Sequence, residues 1–222
     1  MTAITVLLAE DHQIVREGLQ ALLKLENDIQ VVGEADNGRD AVKLTASLRP
    51  DVVVMDIAMP LLNGLEAARQ ILAAAPATRL LILSAHSDDA YVERVMELGA
   101  AGYLVKQTAA HILPQAIREI HRGNLFFSPA INKRLANHQT IPAAAGKKNL
   151  AKLTTREMEV LQLVAEGKAN KESAAVLHIS IKTIEKHRQK VMEKLNIHDT
   201  ASLTRYAIAN GIIESSVQVT IL

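Results

Sequence analysis

Apolar and polar positions follow two different rhythms along this chain. Over the amino-terminal half, short apolar runs recur as ITVLLA (4–9), IQVVGEA (29–35), DVVVMD (51–56), RLLILSA (79–85) and AAGYLVK (100–106). Runs that stay apolar at consecutive positions and are rich in Val, Ile and Leu predict strands covered on both faces. Between them, apolar residues return every three or four positions, as helices require: Leu19, Leu22 and Leu23; Ala41 and Leu44; Leu65, Ala68 and Leu72; Val92, Val95 and Met96; Ile112, Ala116, Ile117 and Ile120. Five strands alternating with five helices predict a doubly wound, five-stranded parallel α/β sheet.

Past Gly123 the alternation stops. SPAINKRLANH (128–138) predicts a short helix opened by Ser128-Pro129, and QTIPAAAGKKN (139–149) a connector. The remaining rhythm is purely helical. Thr154 followed by Glu157 is a capping-box pattern, opening a helix with Met158, Leu161 and Val164 on its apolar stripe, and Gly167 closes it. Asn170 is expected to cap a second, short helix carrying Ala174 and Leu177. His178 tolerates the left-handed conformation that ends it, and Ser180 caps a third helix over 181–195. Two helices joined by so short a turn make a helix-turn-helix. At about 100° per residue, Val191 and Leu195 fall within about 20° of Ile184, whereas Lys182, Glu185, Lys186, Gln189 and Lys190 lie between about 100° and 240° away. The third helix therefore has a narrow buried seam and a broad, mostly basic outer face.

Charge sharpens this division. The net charge of +1 hides an asymmetry: residues 1–146 hold 13 Lys and Arg against 16 Asp and Glu (−3), and residues 147–222 hold 12 against 8 (+4). A basic helical module after an acidic α/β module points to a nucleic-acid binder in the second position. With 2% aromatic residues, a stacking platform for single strands is disfavoured. The chain has no cysteine, which excludes disulfides, thiol catalysis and Cys-ligated zinc. MTAITVLLAED lacks the basic start and long apolar stretch of a signal peptide, and no segment approaches the ~18–20 apolar residues of a membrane span. The expectation is a soluble, cytoplasmic protein without membrane contact.

Candidate chemistry sits at the carboxyl ends of the predicted strands, where doubly wound sheets bind ligands. The first strand ends in Glu10-Asp11, the third in Asp56, the fourth in Ser84 and the fifth in Lys106. Clustered carboxylates repel unless a cation intervenes, and an all-oxygen site with a phosphate suits Mg²⁺. Beside such an ion, Asp56 can act as a nucleophile and form an acyl phosphate.

The pattern AEDH…VVVMDIAMP…NG…LILSA…GAAGYLVK resembles the receiver domain of two-component response regulators over about residues 3–123. The resemblance implies Asp56 as phosphoacceptor, with Glu10, Asp11, Asp56 and the backbone carbonyl of Ala58 as Mg²⁺ ligands. It further implies Ser84, Tyr103 and Lys106 as the groups that sense the phosphoryl group. Ala85 leaves room for the phosphodonor, while His86 reads as a surface loop residue. Relatives often carry Lys-Pro where Lys106-Gln107 stands here, so no cis peptide is expected.

LTTREMEVLQLVAEGKANKESAAVLHISIKTIEKHRQKVMEKLNI (153–197) is similar to the DNA-binding domain of the LuxR/NarL type, with Ser173 at a position relatives usually fill with an apolar residue. This resemblance implies that the third helix enters the major groove. Lys182, Glu185, Lys186 and Gln189 are then nearest the bases, and Thr183, His187, Arg188 and Lys190 lie toward phosphates. Arg188, at the edge of the buried stripe, is open to either packing through its stem or a phosphate contact. A fourth helix around Ala201, Leu203, Tyr206 and Ile208 is the dimerisation element.

Together these imply a phosphorylation-controlled transcriptional regulator, not an enzyme. Its partners are a sensor histidine kinase, double-stranded promoter DNA and a second copy of itself. An aspartate-nucleophile phosphohydrolase would need a second Asp where Ala58 stands. The domains are expected at 1–123 (receiver), 124–150 (linker) and 151–215 (helix-turn-helix), with a tail over 216–222.

Overall fold

The computed structural model describes residues 3–85, 89–127, 131 and 153–213. His86, the expected helix over 128–138 apart from Ile131, the whole connector over 139–149 and the tail from Glu214 onward lie outside them. Two compact units divide the chain, the first of α/β build and the second helical.

In the first unit β1 (Ile4–Ala9), β2 (Ile29–Ala35), β3 (Val52–Asp56), β4 (Arg79–Ser84) and β5 (Gly102–Val105) alternate with α1 (Gln13–Leu23), α2 (Gly38–Leu48), α3 (Gly64–Ala74), α4 (Asp89–Glu97) and α5 (Lys106–His121). All strand pairs are parallel, in the order β2-β1-β3-β4-β5 with a sixth, short strand beyond β5. The sheet is thus one strand wider than the expected five. The added strand, β6 (Phe126–Phe127), pairs its two residues with Gly102 and Tyr103. Gly102 permits the approach, since a Cβ there would lie 2.5 Å from the Phe126 carbonyl oxygen. A two-residue strand is too short to show any periodicity.

Continuous apolar runs let the inner strands β1, β3, β4 and β5 bury both faces. Ile4, Val6, Leu8, Val52, Val54, Leu81, Leu83 and Leu104 form one core with Leu19 and Leu23 of α1 and Leu113, Ala116, Ile117 and Ile120 of α5. The alternate residues Leu7, Val53, Met55, Ile82 and Tyr103 are equally buried and face the other way. Non-local bonds stitch the amino-terminal edge of the sheet: Asp51 Oδ2 accepts from the Thr5 backbone N–H (2.8 Å) and hydroxyl (2.7 Å).

The second unit comprises α6 (Thr155–Ala165), α7 (Asn170–Leu177), α8 (Ile181–Leu195) and α9 (Thr200–Ala209). Its core joins Val160, Leu161, Leu163, Val164, Leu177, Ile184, Val191, Leu195, Leu203 and Ala207. The expected capping box is present, with Glu157 N–H donating to Thr154 Oγ1 (3.3 Å) and Thr154 N–H to Glu157 Oε2 (2.7 Å). Ser180 caps α8 by accepting from Thr183 N–H (3.1 Å), and His178 takes the left-handed conformation (φ 53°) between α7 and α8. One cap differs from expectation. Ala169, not Asn170, precedes α7, and the Glu172 carboxylate accepts its N–H at 2.8 Å. Asn170 is thereby inside the helix, where its Oδ1 accepts from Arg188. Arg156 closes the other end of α7 by donating to the Leu177 carbonyl (2.6 Å).

Ser173 is completely buried in α7, and its hydroxyl finds no partner among the described residues. Ser173→Ala removes an unsatisfied polar group without a large cavity. It is expected to stabilise the helical unit by about 1 kcal/mol, read as a higher urea midpoint by circular dichroism.

Candidate functional site

Parallel pairing brings the strand-end residues into line. Asp56 lies opposite Leu83 in the ladder, and Ser84, the next residue, lies opposite Val105, which Lys106 follows. Glu10 comes directly after β1, anchored by a backbone bond from its N–H to the Ala35 carbonyl (3.0 Å). The loop after β3 returns closely: Gly64 N–H donates to the Ile57 carbonyl (2.8 Å), and a Cβ on Gly64 would sit 1.9 Å from the Asp56 carbonyl oxygen. Only glycine fits there.

Glu10, Asp56 and Ser84 are buried, while Asp11 is partly exposed. Lys106 reaches across the edge of the sheet, donating to Glu10 Oε1 at 2.9 Å and lying 2.8 Å from Glu10 Oε2 and 2.9 Å from Asp56 Oδ2. Burial pushes the Asp56 carboxyl up to about 6; Lys106 pulls it down and Glu10 pushes it up, but burial prevails. Burial also opposes the Lys106 ammonium, yet Asp56 and Glu10 outweigh it and hold its pKa above the ordinary value.

The donor set fits a hard divalent cation. Ligand atoms of Glu10, Asp11, His12 and Asp56 all lie within 4.8 Å of one another. Glu10 Oε2, Asp11 Oδ1 and Asp56 Oδ2 are buried atoms that accept no well-aligned hydrogen bond, their short contacts being ion pairs. Carboxylate oxygens left in this way suit Mg²⁺, which takes one or two carboxylates and otherwise water and phosphate. Ala58, half-exposed two residues beyond Asp56, is the expected carbonyl ligand. His12 was not among the predicted residues. Its Nδ1 lies 2.9 Å from Asp11 Oδ1, and that carboxylate raises the imidazole pKa; its place directly after the acidic pair is the signal that could have found it.

In the helical unit, Lys182, Glu185, Lys186, Gln189 and Lys190 are exposed along α8, opposite the buried seam of Ile184, Val191 and Leu195. This is the division that helical geometry predicts.

Residues 6–118 match the family described as response regulator receiver domain, and residues 151–207 match bacterial regulatory proteins, luxR family. The transcriptional regulatory protein DegU of Brevibacillus brevis is 34% identical over 222 residues, covering 94% of this chain and 94% of its own length. The response regulator protein VraR of Staphylococcus aureus is 34% identical over 211 residues, covering 95% and 99%. Among solved structures, the RcsB response regulator of Salmonella typhimurium has a TM-score of 0.58 at 28% identity, covering 94% of this chain and all of that one. An RcsB–DNA complex has a TM-score of 0.58 at 27% identity, covering 94% and 99%. The chain belongs to the response regulators with a LuxR-type helix-turn-helix. A response regulator of this build is a DNA-binding regulator of transcription, and among its described residues no helix is long and apolar enough to cross a membrane.

The structure distributes the other predicted residues unevenly. Tyr103 is wholly buried on β5. Thr183 is half-buried, with its hydroxyl 2.8 Å from that of the Ser180 cap. Arg188, expected toward phosphates, is held inside the unit by Asn170 Oδ1 (3.3 Å) and the Thr200 hydroxyl. His187 is half-buried, and burial followed by Arg156 lowers its pKa. Of the four residues placed in a dimerisation element, Ala201 and Ile208 are exposed and Tyr206 half-buried. Leu203 is wholly buried in the unit's own core, a position no second copy can touch. Among the described residues there is no cis peptide bond.

Two outcomes follow from the pocket. Gly64→Ala forces a side chain onto the Asp56 carbonyl and is expected to cost about 3 kcal/mol, measured by urea unfolding. Because the folded-state pKa of Asp56 is raised from 3.8 to about 6, its contribution to stability is full below about pH 4 and is lost as pH rises through 6. In the presence of a chelator, Asp56→Asn is therefore expected to stabilise the protein by about 1–3 kcal/mol at pH 7.5, with the gain disappearing near pH 4.

Proposed function

We propose that this response regulator is switched by phosphorylation of Asp56 by a sensor histidine kinase. A carboxylate oxygen of Asp56 attacks the phosphorus of phosphohistidine, the P–N bond breaks, and an acyl phosphate forms on Asp56. The observation that carries the reading is the buried Asp56–Lys106–Glu10 arrangement, with Asp11 beside it, at the carboxyl edge of the sheet.

Glu10, Asp11, Asp56 and the Ala58 carbonyl would hold Mg²⁺, whose charge offsets that of an incoming phosphoryl group. Lys106 supplies a second positive charge, already 2.9 Å from Asp56 Oδ2. Ser84 sits one residue beyond the partner of Asp56 in the ladder, suited to bond a phosphoryl oxygen with its hydroxyl. Exposed Ala85 next to it leaves an open approach for the donor. Movement of Ser84 and Lys106 toward the phosphoryl group biases Tyr103, which lies on β5 opposite Ile82, two residues before the Val105 that pairs with Ser84, so the effect is a shift between two populations.

The receiver spans 1–123, the linker 124–150 and the helix-turn-helix domain 151–215, with a tail over 216–222. α8 enters the major groove, presenting Lys182, Glu185, Lys186 and Gln189 to bases and Lys190 to phosphate; His187 lies on its flank. Phosphorylation promotes a homodimer through the exposed side of α9, Ala201 and Ile208 included. Such a dimer reads half-sites about 10 base pairs apart, with an affinity that falls steeply with salt. The protein works in the cytoplasm and acts by binding rather than catalysis.

Intact-mass spectrometry after incubation with Mg²⁺ and a small acyl phosphate is expected to show a single phosphoryl adduct, absent from Asp56→Asn and absent with chelator. An unmodified wild type, or an adduct that survives in Asp56→Asn, would overturn the assignment.

A further inference from the structure

Three isoleucines surround the start of α8, and two of them have structural employment. Ile179 precedes the Ser180 cap and packs on the unit's core, and Ile184 at the fourth helical position is wholly buried in that core. Those are the two positions of a hydrophobic staple, which fixes how the chain enters a helix. Ile181, the first residue of α8, has no such task. It is 45% exposed, one of two large apolar side chains among the described residues of this unit that are exposed, the other being Ile208 of α9.

Local rules do not explain Ile181 either. The first turn of a helix favours Asp, Glu or Pro, because the positive end of the dipole and the free N–H groups are there, and β-branched residues are weak helix formers. The side chain projects from the amino-terminal end of the helix already assigned to the major groove, immediately before Lys182 and one turn before Glu185. An exposed aliphatic group at that end, flanked by polar base-reading residues, matches one feature of the groove: the C5-methyl group of thymine, which side chains recognise by apolar contact.

We infer that Ile181 is a specificity-determining residue that reads a thymine methyl at the edge of each half-site. The inference rests on the reading of α8 as the groove-entering helix. It assigns apolar recognition to a face otherwise built for hydrogen bonds and charge. Burial of one methyl-sized group against Ile181 corresponds to about a fourfold gain in affinity, enough to fix one base without dominating binding.

The test uses the full chain, incubated with Mg²⁺ and acyl phosphate, and a pool of random-sequence duplexes. Wild type and Ile181→Ala are each taken through rounds of selection, and the enriched sites compared. Ile181 is exposed and is not a member of the unit's core, so both proteins are expected to fold, which matched circular dichroism melts check. The expected result is a site with one thymine column per half-site that disappears in Ile181→Ala while the other columns persist. Replacing that thymine with deoxyuridine, which lacks only the methyl group, is then expected to weaken wild type about fourfold and leave Ile181→Ala unchanged. The same thymine preference in both proteins, or an equal loss in both on removal of the methyl, would overturn the inference while leaving α8 in the groove. Enrichment of no sequence by the wild type would instead overturn the groove assignment, and this inference with it.

Discussion

Everything at the carboxyl edge of the sheet depends on one ammonium group. Three carboxylates on adjacent strand ends, two of them buried, repel one another in a medium that screens poorly. Lys106 lies within 3 Å of both buried ones. It resides at the junction where β5 ends and α5 begins without an intervening loop, so its backbone is fixed by the sheet on one side and the helix on the other. A lysine's flexible stem would otherwise lose much of its freedom in making these contacts. Here the junction sets the starting point of the stem and leaves the nitrogen poised between Glu10 and Asp56. Compensation is incomplete, as the raised pKa of Asp56 records. A site that is fully neutralised would have no reason to bind a divalent cation or a phosphoryl group. This one retains the deficit that such ligands relieve.

The helical unit is organised around a single carboxylate of its own. Glu157 Oε2 accepts from the Thr154 N–H at the start of α6 and from Lys194 Nζ (2.6 Å) near the end of α8. One oxygen thus closes the amino-terminal cap of the first helix and clasps the far end of the helix that carries the exposed basic face. The preceding residue, Arg156, has a similar role, tying α6 to the last carbonyl of α7. Arg188 adds a tie between α7 and the start of α9. The charged residues facing inward are therefore joints between helices, whereas those facing outward along α8 remain available.

Strand and helix positions in the first unit were legible because burial on both faces leaves an unambiguous mark: Val52–Met55 or Leu80–Leu83 cannot be anything but interior. Polar residues at strand ends stood out against that background, so Glu10, Asp11, Asp56, Ser84 and Lys106 were all identifiable. β6 was not, since two residues carry no period. Nor could spacing reveal what side chains do at the boundary of a helix stripe. Arg188 lies at such a boundary, and only the positions of Asn170 and Thr200 show that it bonds inward. Leu203 was named with Ala201, Tyr206 and Ile208 because the resemblance assigns dimerisation to a whole helix, without regard to its faces; the core of Val160, Val191 and Leu195 claims it. Asn170 was expected to cap because its residue type favours that role. The Glu172 carboxylate supplies the needed acceptor from inside the helix, and the cap moves back to Ala169.

The two margins of the sheet bear on how the folded protein avoids its own kind. A sheet whose strands are apolar on both faces is a template for further pairing wherever an outer strand exposes its backbone. On one side the outer strand is β6, only two residues long, so little unpaired backbone is offered. On the other it is β2, where pairing with β1 slips between Val6 and Leu7 and Val32 is left without an opposite residue. Such a bulge bends and twists the margin, and exposed Gln30 and Glu34 place polar groups along it. Among the described residues of a chain that is 49% hydrophobic, neither margin offers the long, flat, unpaired strand on which aggregates grow.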